Sequence, residues 1–297
     1  MFRDDLLKGQ KILVTGGGTG LGKSMSEAFM RLGAHVIIWG RRGSVLDETA
    51  AEMREATGGT CDAVAVDIRN AGAIDEAMDA AFEGGALTGL VNNAAGNFIS
   101  RTEDLSANAF NAIASIVAHG TFNTTVATGK RWIEGGHKGS ILSIVTTWVW
   151  VGGPFTVPSA MSKAGVAAMT QSLAVEWGPK GIRANAIAPG PFPTKGAWDR
   201  LMPEPAMKKL GGANSLGDTG IPLRRLGEHR ELTNLASFLM SDGCDYLTGA
   251  VIPLDGGQWL TSGGNFHALT NLDDGDWSAI RETIAASSAA DRAKRSA

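Results

Sequence analysis

A glycine-rich segment after the first apolar run is the first place where residue types and their spacing point to chemistry. Gly16, Gly20 and Gly22 lie in TGGGTGLGKSM with G-x-x-x-G-x-G spacing, and a helical pattern follows at once. A backbone without Cβ atoms can turn tightly and approach a pyrophosphate, and a helix N-terminus offers free N–H groups and a positive dipole end. The segment predicts a nucleotide site; the alternative is a plain strand–helix turn.

Charged residues end the next two apolar runs. Arg41 and Arg42 close the second run, in WGRR, where many dinucleotide sites carry an acid for the ribose hydroxyls. A planar guanidinium pairs well with phosphate, so the arginines favour NADPH over NADH; a solvated basic turn is the alternative. Asp67 ends the third run, where it could accept from an adenine amino group or cap a helix starting near Asn70.

Seven short apolar runs alternate with longer helical stretches along the chain. Runs of this kind are buried on both faces, which is typical of parallel strands covered by helices and joined by right-handed crossovers. We therefore predict an α/β fold, a Rossmann-like doubly wound seven-stranded parallel sheet. The predicted strands are KILVT (11–15), HVIIW (35–39), DAVAV (62–66), GLVNN (89–93), SILSIV (140–145), IRANAI (182–187) and AVIPL (250–254).

One long excursion interrupts this alternation. A stretch rich in Pro, Gly and Met separates AIAPGPFPT (186–194) from the next predicted helix, near Glu228 to Met240. Irregular segments of that length are usually functional or disordered, and we predict a lid at about 192–221. We expect one domain over residues 1–261 and a C-terminal extension over 262–297, whose DWSAIRETIAASSAADRAKR predicts a fraying helix.

Composition narrows the class of protein. The 297 residues carry 27 Lys and Arg against 30 Asp and Glu, a net charge of −3 that disfavours nucleic-acid binding. Cys61 and Cys244 cannot form a disulfide framework or a four-cysteine metal site, so we expect no metal and a reducing, cytoplasmic setting. No apolar run approaches the roughly 18 residues needed to span a bilayer, and MFRDDLLKGQ does not look like a signal peptide.

Four ordered motifs identify the chain as a member of the short-chain dehydrogenase/reductase family over about residues 8–260. They are TGGGTGLG, NNAAG (92–96), the Ser159…Lys163 pair and the turn after IRANAIAPGP. A narrower resemblance, to 2,4-dienoyl-CoA reductases, is carried by NNAAGNF (92–98), VPSAMSKAGVAAM (157–169), LAVEWG (173–178), PGPFPTKGA (189–197), PLRRLG (222–227) and PLDGGQWLTSGGNF (253–266). It implies NADPH-dependent reduction of conjugated dienoyl-CoA thioesters in unsaturated fatty acid oxidation. It also implies a homotetramer built on the helices around 104–134 and 157–179.

The resemblance assigns site residues by position. Lys163 matches the lysine that binds the nicotinamide ribose hydroxyls, and Ser159, four residues earlier, shares its helix face. Asn97 matches the asparagine that donates to the thioester carbonyl, and Trp148 stands where these reductases carry a tyrosine. The resemblance places further cofactor contacts at Thr19, Leu21, Ile68, Asn93, Ala94, Ala95, Pro189, Gly190, Pro191 and Phe192.

The missing tyrosine decides which chemistry the residues suit. Reduction of a ketone needs a proton donor at the carbonyl oxygen. Most of the wider family has a tyrosine at the position of Ser159 and the dienoyl-CoA reductases have one at that of Trp148, whereas the sole tyrosine here, Tyr246, matches neither position. Hydride addition to a dienoyl thioester instead forms a dienolate, which fixed donors such as the Asn97 amide, the Ser159 hydroxyl and the Trp148 indole can stabilise. The residues therefore favour a conjugated thioester.

Alternatives remain open at this stage. Asn97 could cap its own loop, Ser159 could cap a helix after Pro158, and Trp148 could serve only in packing. The chain could act on a ketone or alcohol with another acid, or it could be a nucleotide-binding subunit without catalytic activity.

Overall fold

The seven predicted strands form one parallel sheet in the order β3-β2-β1-β4-β5-β6-β7. The computed structural model describes residues 2–194, 220–261, 273–275 and 278. The predicted doubly wound fold is confirmed, and its switch point lies between β1 and β4. The strands are β1 Lys11–Thr15, β2 His35–Gly40, β3 Thr60–Ala65, β4 Gly89–Asn92, β5 Gly139–Ile144, β6 Ile182–Pro189 and β7 Val251–Leu254.

Helices connect these strands. They are α1 Gly20–Arg31, α2 Gly43–Thr57, α3 Ala71–Phe82, α4 Ala107–Ala114, α5 Thr121–Gly135, α6 Trp148–Val151, α7 Val157–Trp177, α8 His229–Met240 and α9 Gln258–Thr261, with a π-helical turn at Ser115–Gly120. The helix predicted near Glu228 to Met240 is α8, which a reciprocal capping box of Glu228 and Glu231 begins. Most of the predicted lid (195–219) and most of the extension after residue 261 lie outside the described residues.

Two apolar layers cover the sheet, one on each face. Alternate residues of a strand point to opposite faces, so Ile12 and Val14 join one layer while Leu13 joins the other. The first layer comes from α1, α2 and α8, where Phe29 and Leu232 are fully buried. The second comes from α3, α5 and α7, where Trp132 is fully buried and donates to the Leu87 carbonyl at 2.6 Å. Among the described residues, no helix has the length and apolarity needed to cross a membrane.

The inner face of α7 carries the site residues of that helix. Ser159, Lys163, Val166, Thr170 and Ala174 are all buried, at spacings that form one stripe along the helix. The predicted shared face of Ser159 and Lys163 is thereby confirmed. The stripe lies against β5 and β6, and its N-terminal end is at the carboxyl edge of the sheet, because Lys163 contacts the Ile144 carbonyl at the end of β5.

The turn between β1 and α1 tests how strictly glycine is required. A Cβ on Gly22 would collide with the Gly16 carbonyl oxygen and come within 2.5 Å of the Asn93 amide nitrogen. We expect Gly22→Ala to lower the free energy of unfolding by roughly 1–3 kcal/mol, because backbone must move. The control is Gly178→Ala, since nothing lies within 4 Å of a Cβ there. Urea unfolding showing equal stability for the two variants would contradict this packing.

Candidate active site

The glycine turn is braced by the end of β4. Asn93 donates its side-chain amide to the Thr15 and Gly16 carbonyls at 3.0 and 3.2 Å. The Thr15 hydroxyl in turn accepts from the backbone N–H groups of Asn93 and Ala94, each at 3.1 Å. This reciprocal set fixes the start of the turn to the next strand of the sheet. Sequence reasoning gave Asn93 a cofactor contact; its side chain has this bracing role, which depends on a pairing 78 residues away.

The turn leads directly into the N-terminus of α1. Gly16 and Gly20 both have positive φ, +66° and +55°, which favours glycine at these positions. Thr19 precedes the helix and makes no side-chain capping bond, so its hydroxyl does not occupy the first helical N–H groups. Leu21 is half-buried against the core layer of α1. The predicted phosphate contacts at Thr19, Gly20, Leu21 and Gly22 therefore lie on one continuous turn.

The arginines after β2 are exposed and unpaired. Neither the Arg41 nor the Arg42 guanidinium group forms a hydrogen bond or ion pair with another described residue. Arg42 stands at the N-cap position of α2, where its backbone carbonyl accepts from the Leu46 N–H. Their guanidinium groups are free for a ligand, with the N-terminus of α2 beside them.

Asp67 is engaged by a neighbouring arginine. Arg69 Nε lies 2.9 and 3.0 Å from its two carboxylate oxygens, and these bonds hold the pKa of Asp67 below its usual range. The alternative that Asp67 caps the next helix is wrong, because Asn70 caps α3 by accepting from Gly72 and Ala73. Ile68, between them, is buried.

Lys163 is the buried cation of the site. Its side chain is 5% exposed, and Nζ donates to the Ile144 carbonyl at the end of β5. Burial lowers the pKa of Lys163 to about 8, since desolvation disfavours the ammonium. Within the described residues no carboxylate offsets this effect. The ammonium is still the main form at pH 7.

Two hydroxyls near Lys163 lack partners. Ser159 is 3% exposed and its hydroxyl makes no hydrogen bond to a described residue; α7 begins at Val157 after the N-cap Thr156, so Ser159 is no cap. The Thr146 hydroxyl, after β5, is buried without a partner. A buried hydroxyl such as that of Thr146 normally finds a partner, and both hydroxyls are available to a bound group.

Asn97 lies on the loop that follows β4. Its Oδ1 accepts from the Phe98 backbone N–H at 2.9 Å, as the loop-capping alternative expects, while its NH₂ group makes no bond to a described residue. The same loop is joined to the segment before α7 by a bond of 2.9 Å from the Ser100 N–H to the Phe155 carbonyl. Phe155 has a positive φ of 63°, a strained conformation for this residue. The Asn97 loop is thus held beside the start of α7.

Trp148 opens the single turn of α6. Its ring packs on Gly153, where a Cβ would come within 2.9 Å of the indole carbons. The packing role considered for Trp148 is therefore present, yet its indole N–H makes no hydrogen bond within the described chain. Trp150, two residues on, instead stacks with Trp259 at a centroid distance of 4.9 Å.

The turn after β6 packs against the end of β7. Gly190 donates to the Leu254 carbonyl at 2.9 Å, and a Cβ on Gly190 would come within 2.6 Å of the Asp255 side chain. Pro191 and Phe192 line a small open cleft of about 70 Å³. Its other lining residues are Ile221, Leu223, Arg225, Leu226, Gly227, Glu231, Leu254, Asp255 and Gly256. Pro189 ends β6 itself, so all four predicted contacts lie at the carboxyl edge of the sheet.

Several functional neighbours were missed by sequence reasoning. The side-chain oxygens of Thr15 and Asp255 accept hydrogen bonds from backbone N–H groups and so orient two turns. No sequence motif indicates either bond. Arg225 donates to the two carboxylate oxygens of Glu231 at 2.6 and 2.8 Å, and these bonds lower the pKa of Glu231 to about 2. Tyr246 is fully exposed, whereas a catalytic proton donor would lie in a buried site.

Lys163 yields a pH-dependent prediction about stability. Because the pKa of Lys163 in the folded protein, about 8, lies below the ordinary lysine value of 10.5, the folded protein releases this proton at a lower pH than the unfolded chain. Wild type should therefore gain stability relative to Lys163→Met between pH 8 and 10.5, by up to about 3 kcal/mol. Chemical unfolding at a series of pH values measures the difference. Lys180→Met, at an exposed lysine, is the control. A difference in the free energy of unfolding between wild type and Lys163→Met that stays constant with pH, as it should for Lys180→Met, would contradict the burial effect.

Comparison with known proteins places this geometry in a family. The family model described as enoyl-(acyl carrier protein) reductase matches residues 16–258. A probable 2,4-dienoyl-CoA reductase of Caenorhabditis elegans, named as producing (3E)-enoyl-CoA, is 45% identical over 266 residues, 87% of this chain and 83% of that protein. A probable 2,4-dienoyl-CoA reductase of Bacillus subtilis, named as producing (2E)-enoyl-CoA, is 41% identical over 252 residues, covering 84% and 96%.

A solved structure shows the same fold. It is a protein from Agrobacterium tumefaciens, described as a 2-deoxy-d-gluconate 3-dehydrogenase by assignment and solved with bound NADP. It is 31% identical, has a TM-score of 0.76, and covers 87% of this chain and 99% of its own. Together with the glycine turn, the buried lysine and the parallel sheet, these matches show that the chain belongs to the short-chain dehydrogenase/reductase family.

Proposed function

We propose that the protein is an NADPH-dependent reductase of 2,4-dienoyl-CoA thioesters, acting in unsaturated fatty acid oxidation. The observation that carries this proposal is a set of free hydrogen-bond donors without a phenol. The Ser159 hydroxyl, the Asn97 NH₂ group and the Trp148 indole N–H have no partner in the described chain, while the only tyrosine is fully exposed. Donors without an acid suit an oxyanion that needs stabilisation rather than immediate protonation.

The chain's residues fit a nicotinamide dinucleotide. Glycines at positions 16, 20 and 22 keep side chains out of the turn before α1, at whose N-terminus the pyrophosphate would bind. The free guanidinium groups of Arg41 and Arg42 would hold a 2′-phosphate, and the Lys163 ammonium would bind the nicotinamide ribose hydroxyls. The NADP bound to the Agrobacterium protein supports this assignment. When bound, NADPH supplies a hydride to the far end of the conjugated diene.

The residues of the chain then manage the charge on the substrate. Negative charge develops on the thioester oxygen, and Asn97 and Ser159 donate hydrogen bonds to it, with the Trp148 indole as a third donor. None of the three can release a proton at neutral pH, so the proton that completes the reaction goes to a carbon of the dienolate and comes from water. The buried Lys163 ammonium adds positive charge at the carboxyl edge of the sheet.

The donors provide the main test of activity. We expect Asn97→Ala to lower kcat for a 2,4-dienoyl-CoA by about 10²–10³, because one oxyanion donor is lost. Trp148→Phe should also lower kcat, whereas Trp150→Phe, which removes an indole stacked on Trp259, should leave it near the wild-type value. Stopped-flow loss of NADPH fluorescence measures these rates. Wild type that oxidises NADPH with ketones and not with dienoyl-CoA would contradict the proposal, and no oxidation with any substrate would favour a non-catalytic nucleotide-binding protein.

The arginine pair provides the test of cofactor choice. A charged hydrogen bond to phosphate contributes about 1.5–3 kcal/mol, so we expect NADPH to bind at least tenfold more tightly than NADH. Arg41→Asp should weaken NADPH selectively, since NADH offers no 2′-phosphate. Calorimetric titration with both nucleotides checks this, with NADH as the internal control. Equal affinities in wild type would exclude a role for Arg41 and Arg42 in selection.

The proposal extends to assembly and location. Exposed apolar side chains on α5 and α7, namely Phe122, Met161 and Val175, support a homotetramer joined through these helices. Light scattering should give four times the chain mass, and Val175→Glu should reduce the measured mass.

The cytoplasm, expected from the two cysteines, remains the proposed location. Both cysteines are free and buried, and burial raises the pKa of the Cys61 thiol to about 11.

A further inference from the structure

His229, the first residue of α8, is hydrogen-bonded through both ring nitrogens to distant parts of the chain. Nδ1 lies 2.7 Å from the Ser24 hydroxyl on α1, and Nε2 lies 2.8 Å from the Pro193 carbonyl oxygen. A carbonyl can only accept, so Nε2 carries the hydrogen and Nδ1 of the neutral ring is left to accept from Ser24. The ring is thus a bridge between α1 and the segment that follows β6.

The segment reached by Nε2 follows β6 and contains Pro191 and Phe192, two of the expected cofactor contacts. Pro191, two residues earlier, accepts from the Gly227 N–H at 3.0 Å, and a Cβ on Gly227 would come within 2.5 Å of the Phe192 ring. Residues 227–229 therefore hold residues 191–193 by two backbone-directed bonds and one ring contact. The His229 bond is the last of these along the segment.

The helix reached by Nδ1 is the one that begins at the glycine turn. The Gly20 carbonyl oxygen, one turn earlier on α1 and 3.2 Å from Ser24 Oγ, is the other acceptor to which this hydroxyl can donate its one hydrogen. Thr194, next to Pro193, packs over Gly20, with its methyl carbon 3.5 Å from the position of a Cβ there. His229 consequently connects the turn after β6 to the helix end where the pyrophosphate would bind.

We infer that His229 is a positioning residue that fixes the turn after β6 against the N-terminus of α1 and thereby sets the affinity for the dinucleotide. This inference rests on the proposed dinucleotide site. The imidazole contacts no reacting atom; it acts through Pro193 and Ser24. Loss of the Nε2 bond frees the 193–194 end of the turn, so binding must then order a segment that wild type holds in place.

Three substitutions separate the two bonds. Gln at position 229 can extend its NH₂ group to where Nε2 stands and keep the Pro193 bond. Asn reaches only the position of Nδ1 and keeps the Ser24 contact, whereas Phe keeps neither. We expect His229→Phe and His229→Asn to weaken NADPH binding threefold to tenfold, the loss expected for one hydrogen bond, and His229→Gln to stay within about twofold of wild type.

The experiment is a calorimetric titration of each purified full-length variant with NADPH, together with Tm and with kcat at saturating NADPH. The exposed His137→Gln serves as the control substitution. Support is a raised Kd for Phe and Asn, rescue by Gln, and unchanged Tm and kcat. Wild-type affinity in His229→Phe and His229→Asn would overturn the inference while leaving the cofactor proposal intact.

Two other outcomes also count against the inference. Equal weakening in all three variants with a lowered Tm would reduce His229 to a residue needed for folding. A wild type that binds no NADPH would overturn the proposed cofactor, and the role of His229 with it.

Discussion

The bracing of the glycine turn by β4 is the interaction on which the rest of the site depends. At the switch point of the sheet, the Thr15 hydroxyl and the Asn93 amide join the carboxyl ends of β1 and β4 through four hydrogen bonds of 3.0–3.2 Å. The same close approach excludes any side chain at Gly22. The turn into α1 follows β1 and the Asn97 loop follows β4, so both start from strand ends that these bonds align. A doubly wound sheet places its crevice at this point, and here the crevice is built from backbone and short side chains.

The chemistry of the site depends on donors that folding leaves unused. Most buried polar groups in a protein find partners, yet the buried Thr146 hydroxyl has none in the described chain. The Ser159 hydroxyl also makes no hydrogen bond to a described residue. Lys163 carries a desolvation penalty that lowers its pKa to about 8, and only the Ile144 carbonyl accepts from it. Such groups cost stability in the free protein and recover it by binding a ligand. Together they favour the stabilisation of an anionic oxygen and require no phenol.

Much of the fold was predictable because it depends on local pattern. All seven predicted runs are strands, and the central ones, such as β1 and β4, are buried on both faces and therefore have continuous apolar sequences. The start of β3 is two residues earlier than predicted, because pairing of Thr60 with His35 sets it, and neither residue belongs to the apolar pattern. The sequence also allowed Ser159 to be a helix cap. In the structure the N-cap is Thr156 and Pro158 lies in the first turn, so Ser159 is inside the helix.

The interactions that position the site were not predictable from the sequence. Asn93 reaches Thr15 across 78 residues and His229 reaches Ser24 across 205, and neither pairing leaves a local pattern. Their residue types are common in loops and helix starts. Only the strand order, which brings β4 beside β1 and α8 beside α1, makes them neighbours.

The central claim is that this site stabilises a dienolate without a proton donor at its oxygen. It is tested most directly by the rate of NADPH oxidation in a single turnover with a 2,4-dienoyl-CoA, in H₂O and in D₂O, with protiated and 4-deuterated NADPH. The account predicts that deuteration of NADPH slows this step while D₂O leaves it unchanged, because no proton moves as the hydride does. A clear slowing in D₂O on the same step would show concerted protonation and contradict the account.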